Sequence, residues 1–378
     1  MKRLVIHAGM AKTGTTTIQD SLGKACEALK SDAVYYPDWR PYNHSYELAA
    51  LFRGDSKAGY YYRQFGAETD EEWEAERERL RLQWRAFFDS FTEGTAIISA
   101  EGLEQFFAED VEALLEFARP SFDRCMAVIY VRHPLTSIKS RWEQAVKQLD
   151  EPRSGEDLLQ ECKRRTRFGA VRRWSKAVGE GNLVVRPFDP QHFQGGDLVE
   201  DFLHSIGLES LTLTGEVEAA SNTSIGHNGT AFLIQFNGQY PQYRDGKYNA
   251  DRGMASNLEV LYRLMRETAD ETLVLDVKFS ADEAAAINRE ITFVNRFLSE
   301  AARFAPVEAS AGKSHLPDPD KLPPAYVADI ANGLLQLLER EKADRRHLGR
   351  EVKRLQEEGV ELRARLEELS PSDNDEDQ

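Results

Sequence analysis

The stretch Leu4-Val-Ile-His-Ala-Gly-Met-Ala-Lys-Thr-Gly-Thr-Thr-Thr17 decides the fold class of this chain. Its β-branched beginning predicts a buried strand, and the glycines and threonines that follow predict a tight turn. Apolar residues then continue at helical spacing, at Ile18, Leu22 and Leu29. In a strand–turn–helix of this kind, the amides of the turn and of the first helical residues point at one spot. The sequence therefore predicts a phosphate-binding turn, to which the threonine hydroxyls and the Lys12 ammonium add donors.

Further short runs rich in β-branched residues predict the rest of a sheet. They lie at 96–99, 126–131 and 183–185. Their continuous apolar character is typical of parallel strands that are covered on both faces. Helical patterns separate them, one of which begins at the capping-box sequence Thr69-Asp-Glu-Glu72. This alternation predicts an α/β fold, a parallel sheet with helices on both faces.

A second candidate anion site follows the strand predicted at 126–131. Arg132 comes directly after that strand, Pro134 suits the first turn of a helix, and Ser140 lies two helical turns further on. A guanidinium suits phosphate because its fork makes two parallel charged hydrogen bonds. Ligands of open α/β sheets bind outside the carboxyl ends of the strands. Both anion sites are therefore expected at the same edge of the sheet.

The two motifs together resemble those of the sulfotransferases that use 3′-phosphoadenosine 5′-phosphosulfate (PAPS). The run Lys12-Thr-Gly-Thr-Thr-Thr17 is similar to the family's 5′-phosphosulfate loop, and Arg132 with Ser140 matches its 3′-phosphate motif. The opening residues are especially similar to bacterial, carbohydrate-type members. The resemblance implies a P-loop-NTPase-like sheet, PAPS as the sulfate donor, and a sugar hydroxyl as the acceptor.

The resemblance also implies roles for individual residues. Lys12 would stabilise the charge that develops as the bond between phosphate and sulfate breaks. Arg132 and Ser140 would hold the 3′-phosphate. The 5′-phosphate would lie on the loop, whose donor-binding residues are Lys12, Thr13, Gly14, Thr15, Thr16 and Thr17.

The acceptor hydroxyl needs a base. In carbohydrate-type members the base is often a glutamate near the end of a strand, and Glu101 follows the strand predicted at 96–99. A helix cap is the structural alternative for Glu101. His44, in the region after the first helix, is the second candidate for the base or for an acceptor contact. No cluster of metal ligands is apparent, and no metal is expected.

Composition limits the classes of function. The chain has 378 residues and a formal net charge of −16, which argues against a general nucleic-acid binder. The region 132–186 is nevertheless basic, with thirteen lysines and arginines against seven acidic residues, and favours a surface that binds anions. No apolar run approaches the roughly 20 residues needed for a membrane span. Three cysteines without metal or redox spacing complete the expectation of a cytoplasmic protein.

The predicted domain organisation has four parts: a sulfotransferase domain at 1–305, a Pro-rich linker at 306–325, a coiled coil at 326–370, and a disordered acidic tail at 371–378. Leucines seven residues apart predict the coiled coil, which in turn predicts a homo-oligomer. The heptad leucines are Leu348, Leu355, Leu362 and Leu369.

Two other functions stay open at this point. One is a nucleotide-dependent kinase on the same core, although a Walker loop needs its lysine directly after the second glycine and Lys12 comes two residues before Gly14. The other is a non-catalytic coiled-coil scaffold in glycan assembly.

Overall fold

The structure is a computed structural model. It describes residues 1–54, 65–147, 153–211, 213, 225–241, 243–244, 247–249 and 255–369. Contacts divide the chain into two compact units. The first contains Met1–Gln148, Arg153–Asn222 and Leu275–Leu316, and the second contains Leu149–Pro152, Thr223–Val274 and Pro317–Gln378.

The first unit is built on a parallel sheet. The sheet has five strands in the order β2-β3-β1-β4-β5, with β1 at its centre. Register is continuous on both sides of β1, where Ile6 lies opposite Ile98 in β3 and opposite Ala127 in β4. The strands are β1 Lys2–His7, β2 Val34–Tyr35, β3 Gly94–Ser99, β4 Arg124–Val131 and β5 Leu183–Pro187.

Helices surround this sheet in the first unit. They are α1 Thr15–Lys24, α2 Cys26–Leu29, α3 Ser45–Phe52, α4 Asp70–Asp89, α5 Ala108–Ala118, α6 Pro134–Lys147, α7 Gly155–Arg165, α8 Gly169–Val178, α9 Leu198–Ser205 and α12 Ala281–Val294. Local sequence sets several boundaries, since the predicted capping box at Thr69 is formed and Ser280 caps α12 in the same way.

Both faces of the sheet are buried, and alternate residues of each strand serve opposite faces. Leu4 and Ile6 pack on the face that also buries Trp84 of α4. Val5 packs on the other face, with Ile18 of α1 and Phe202 of α9. The predicted α/β fold, with a parallel sheet and helices on both faces, is confirmed.

The second unit is smaller and mainly helical. Asp270 accepts hydrogen bonds from the amides of Asn228 and Gly229 at 3.1 and 2.9 Å, at the start of its first helix. Its elements are α10 His227–Gln239, β6 Tyr243–Arg244, β7 Lys247–Tyr248, α11 Ala255–Glu267 and α13 Pro324–Leu369.

The two units do not follow the predicted boundaries at residues 305 and 325. Residues 223–274 belong to the second unit, and the Pro-rich segment is divided between the units after Leu316. Val307 is buried, and Asn288 of α12 donates to its carbonyl oxygen at 2.9 Å. Contacts describe packing, so the predicted boundaries of the folding domains stay a prediction.

The 46-residue helix α13 covers most of the predicted coiled coil. Leu335, Leu338 and Leu348 are exposed, at 59%, 51% and 65%. The side chains of the later heptad leucines and the acidic tail at 371–378 lie outside the described residues. The pairing of α13 with a second helix stays a prediction. No helix in the described part of the chain has the length and apolar character needed to span a bilayer.

Candidate functional site

The loop between β1 and α1 lies at the carboxyl end of the sheet. It stays paired to β4, because the amide of Met10 donates to the Tyr130 carbonyl at 3.1 Å and the Tyr130 amide donates to Gly9 at 3.0 Å. The Thr13 hydroxyl closes the turn by donating to the Met10 carbonyl at 2.6 Å. The central position of β1 therefore places this loop between the ends of β3 and β4.

The backbone of the loop is constrained at two positions. Gly14 caps α1 with a φ of 72°, and a Cβ there would lie 2.3 Å from a methyl group of Leu198 and 2.9 Å from the Phe188 ring. Lys12 has a φ of 64°, which non-glycine residues rarely adopt. In this conformation the Lys12 side chain is exposed, and its ammonium donates to Gln144 at 3.2 Å.

The start of α1 leaves donors available for an anion. Its first intrahelical bond is donated by Ile18 to Gly14 at 3.3 Å. The preceding amides, those of Thr15, Thr16 and Thr17, have no acceptor within the helix, as is general for the first residues of a helix. Thr16 is exposed and Thr15 is buried.

Glu101 lies on the β3 side of the loop, at the start of the short 3-10 turn Glu101–Gln105. Its carboxylate accepts the Thr15 hydroxyl at 3.0 Å. Burial raises the pKa of Glu101 and the Thr15 bond acts in the opposite direction, while the charge of Lys12 favours the ionised form. Glu101 is thus an ionisable carboxyl group beside the predicted phosphate loop.

Arg132 lies on the β4 side of the loop. Its guanidinium is 4.5 Å from the centre of the Phe188 ring, and burial lowers its pKa. The Arg132 Nε is buried and has no hydrogen-bond partner among the described residues. No carboxylate pairs with Arg132 in that part of the chain. The side chain is therefore a desolvated cation with donors left over for an anion.

The charge of Lys12 interacts with groups on the β3 side and on the β4 side of the loop. Loss of hydration around the ammonium lowers the pKa of Lys12 and the positive charges of Lys147 and Arg132 act in the same direction, whereas Glu143 and Glu101 raise it. The structure thus brings together three predicted residues, Lys12, Glu101 and Arg132, at one edge of the sheet.

Ser140 lies on α6 and is partly buried. Ser137, one turn earlier, lines a narrow cavity together with Arg132 and Thr13. The role predicted for Ser140 in binding a 3′-phosphate stays a prediction.

His44 is fully buried between aromatic rings, with ring centres 5.0 Å from Tyr36 and 5.3 Å from Trp84. Its Nδ1 accepts the Ser99 amide at 3.3 Å. Burial lowers the pKa of His44 to about 3, so the imidazole is neutral at physiological pH. His7 on β1 is buried beside the Ser99 hydroxyl, at 2.8 Å, with its pKa similarly lowered to about 3. Two neutral histidines therefore flank Ser99, two residues before Glu101.

Several residues of the site belong to no sequence motif. Glu104 accepts the Ala11 amide at 2.8 Å and pairs with Arg141 at 3.3 Å, and the Arg173 guanidinium donates to its carbonyl at 2.6 Å. The excess of basic residues in 132–186 was the available signal. It could not identify individual residues, because the contacts join segments far apart in the chain.

The chain resembles solved sulfotransferase structures at low sequence identity. No protein-family model and no curated protein sequence matches the chain. It resembles a solved sulfotransferase from Alicyclobacillus acidocaldarius at 16% identity, covering 55% of this chain and 82% of that one, with a TM-score of 0.35. It also resembles the sulfotransferase domain of the Synechococcus PCC 7002 olefin synthase at 10% identity, covering 78% and 94%, with a TM-score of 0.32. Because both TM-scores are below 0.5, these similarities carry no argument about function.

Proposed function

We propose that this chain is a sulfotransferase that moves the sulfuryl group of PAPS to a hydroxyl of a carbohydrate or glycan acceptor. The observation that carries the proposal is that the charge of Lys12 interacts both with a carboxylate, Glu101, and with Arg132, a cation that has no carboxylate partner among the described residues. Sulfuryl transfer needs cations at the leaving phosphate and a base at the attacking hydroxyl.

At the donor end, the first amides of α1 and the hydroxyls of Thr16 and Thr17 hold the 5′-phosphate. Arg132 holds the 3′-phosphate. Lys12 faces the oxygen that bridges phosphate and sulfur. When the bond between that oxygen and sulfur breaks, the negative charge left on the phosphate is stabilised by the ammonium.

At the acceptor end, Glu101 takes the proton of the attacking hydroxyl while the new bond between sulfur and the acceptor oxygen forms. The products are a sulfate ester and 3′-phosphoadenosine 5′-phosphate. Burial raises the pKa of Glu101, which makes the carboxylate a stronger base, while the charge of Lys12 acts in the opposite direction and favours the ionised form. His44 is neutral and fully buried, so we assign it the role of supporting the Ser99 backbone rather than that of the base.

Calorimetric titration with 3′-phosphoadenosine 5′-phosphate tests the proposal. We expect one nucleotide to bind per chain without added metal, and Arg132→Ala to weaken it. Arg124→Ala removes an exposed arginine that bonds to Asn182 instead, and is the matched control. Binding of ATP with Mg²⁺ in preference to this nucleotide would indicate a kinase. Failure to bind either nucleotide would indicate a scaffold.

We further propose that α13 joins copies of the chain into a homo-oligomer, with Leu338 and Leu348 at the contact. The support is that both leucines are large, apolar and exposed. Light scattering should give a mass above 42.9 kDa for the intact chain. Leu338→Glu with Leu348→Glu should reduce it to the monomer mass, whereas the same substitutions at the polar positions Gln336 and Arg346 should not. A monomeric intact chain would refute this assembly.

A further inference from the structure

A narrow cavity beside the loop between β1 and α1 is lined by more positively charged side chains than the phosphates of PAPS require. Its free volume of about 10 Å³ has room for one water-sized atom, so an oxygen of a small terminal group fits and a ring does not. The lining residues come from the loop, from α6 and from the segment after α7: Met10, Ala11, Thr13, Arg132, Ser137, Arg141, Thr166, Arg167 and Phe168.

Three guanidinium groups line this cavity, and among the described residues a carboxylate pairs with one of them. Arg141 pairs with Glu104 at 3.3 Å. Arg167 is exposed and donates to two neutral carbonyl groups, those of Thr166 at 2.9 Å and Lys163 at 3.4 Å. The Nε atoms of Arg132 and Arg141 are both buried without a partner in the described ranges. A buried donor without an acceptor destabilises the protein, and an anion that enters the cavity and accepts from these atoms would remove that cost.

We propose that Arg141 and Arg167 bind an anionic group of the acceptor, a carboxylate or a sulfate, and so select acidic glycans. This inference rests on the proposed function. It adds that the carbohydrate acceptor is acidic, which neither the resemblance nor the proposed chemistry specifies.

The position of Arg141 indicates that the anion in this cavity belongs to the acceptor rather than to the donor. Glu104, which holds Arg141, belongs to the same short turn as Glu101, the proposed base. Glu104 also accepts the amide of Ala11, directly before Lys12. An acceptor whose hydroxyl reaches Glu101 therefore passes along the turn that holds Arg141. The two phosphates of the donor already have partners at the start of α1 and at Arg132.

A pair of sugars that differ in one charge tests the inference. Methyl glucuronide and methyl glucoside would be titrated into protein saturated with 3′-phosphoadenosine 5′-phosphate, with binding followed by ligand-observed NMR. We expect the glucuronide to bind at least about tenfold more tightly, as fits a hydrogen-bonded charge pair. Arg167→Gln and Arg141→Gln should each reduce this preference, with the affinity for the nucleotide unchanged. Arg164→Gln, an exposed arginine of the neighbouring turn that bonds to Gln160, is the matched control.

Two results would overturn the inference. If the intact protein binds the two sugars equally, or binds neither, it does not select an anionic acceptor. A loss of nucleotide affinity in Arg167→Gln, as large as in Arg132→Ala, assigns the cavity to the donor. Failure of the proposed function gives a different result, because the intact protein would then not bind 3′-phosphoadenosine 5′-phosphate. The preference between the two sugars can still be measured in the absence of this nucleotide.

Discussion

Arg132 and Arg186 occupy similar positions on neighbouring parallel strands, yet their surroundings differ. Arg186, near the end of β5, donates to Asp201 through both Nε, at 3.1 Å, and Nη2. Asp201 is fully buried and also accepts the Tyr130 hydroxyl at 2.6 Å. Arg132, directly after β4, faces the Phe188 ring and has no carboxylate partner in the described part of the chain.

The pKa values of the two arginines are shifted in opposite directions. Burial acts to lower the pKa of both guanidinium groups. For Arg186 the hydrogen bonds and charge of Asp201 outweigh burial and raise the pKa, whereas nothing compensates burial at Arg132. The partner of a cation, more than its place on the sheet, therefore separates a residue that stabilises the fold from one available to a ligand.

The largest effect is expected when the partner of Arg186 is removed. Asp201→Ala leaves the Arg186 charge and the Tyr130 hydroxyl unpaired, and we expect a loss of about 3–5 kcal/mol in the free energy of unfolding. Urea denaturation followed by circular dichroism measures it. Glu209→Ala removes an exposed carboxylate of the same region and should change stability by less than about 0.5 kcal/mol. Equal stability of the two variants would refute the structural role of the pair.

Lys12→Ala should reduce turnover and leave stability almost unchanged. Without the ammonium, the charge on the leaving phosphate is not stabilised, and turnover should fall by about 10²–10³-fold. The free energy of unfolding should hardly change, since Lys12 is exposed and its hydrogen bond goes to a neutral amide. Lys24→Ala, at the exposed end of α1, provides the control for rate and stability. A Lys12→Ala enzyme of normal turnover contradicts the mechanism.

Arg132→Lys keeps the positive charge and removes the guanidinium fork that makes two parallel hydrogen bonds. We expect affinity for 3′-phosphoadenosine 5′-phosphate to fall by about tenfold, as fits the loss of one hydrogen bond to a charged group. Stability should be retained. Arg186→Lys should reverse this result, with reduced stability and unchanged affinity. If both substitutions affect the same quantity, the distinction between the two arginines is wrong.

The last prediction concerns the protonation of Glu101. Because the proposed base acts as a carboxylate, turnover should rise with pH as Glu101 loses its proton, at a pH above that of an ordinary glutamate. Glu101→Gln should remove this pH dependence together with most of the turnover, while nucleotide affinity stays close to normal. The folded pKa is raised, so the charged carboxylate opposes folding at neutral pH, and the glutamine variant should unfold at a slightly higher urea concentration. A pH profile unaffected by Glu101→Gln would exclude Glu101 as the base.

Much of the fold was predictable because its signals are local. Runs of β-branched residues predicted four of the strands, and the capping box at Thr69 predicted the start of α4. The two-residue strand β2, Val34–Tyr35, is too short to produce a pattern and was missed.

The candidate site was predictable in part. Lys12 and Arg132 lie in sequence motifs, and the parallel sheet brings the ends of their strands to one edge. Arg141 and Arg167 form no motif, because their positions depend on how α6 and the segment after α7 pack. The sequence likewise gives no sign that Arg186 is paired with Asp201 and that Arg132 has no such partner.

The amino-acid sequence by itself determined the order of strands and helices and the residues at the phosphate-type loop, since these follow from periodicity, glycine positions and side-chain chemistry over a few neighbouring residues. Only the tertiary structure decided which charges are compensated. Burial and pairing depend on segments that meet in space, as Glu104 meets Ala11 and Arg141, and the Coulomb energy of a charge is set by those neighbours.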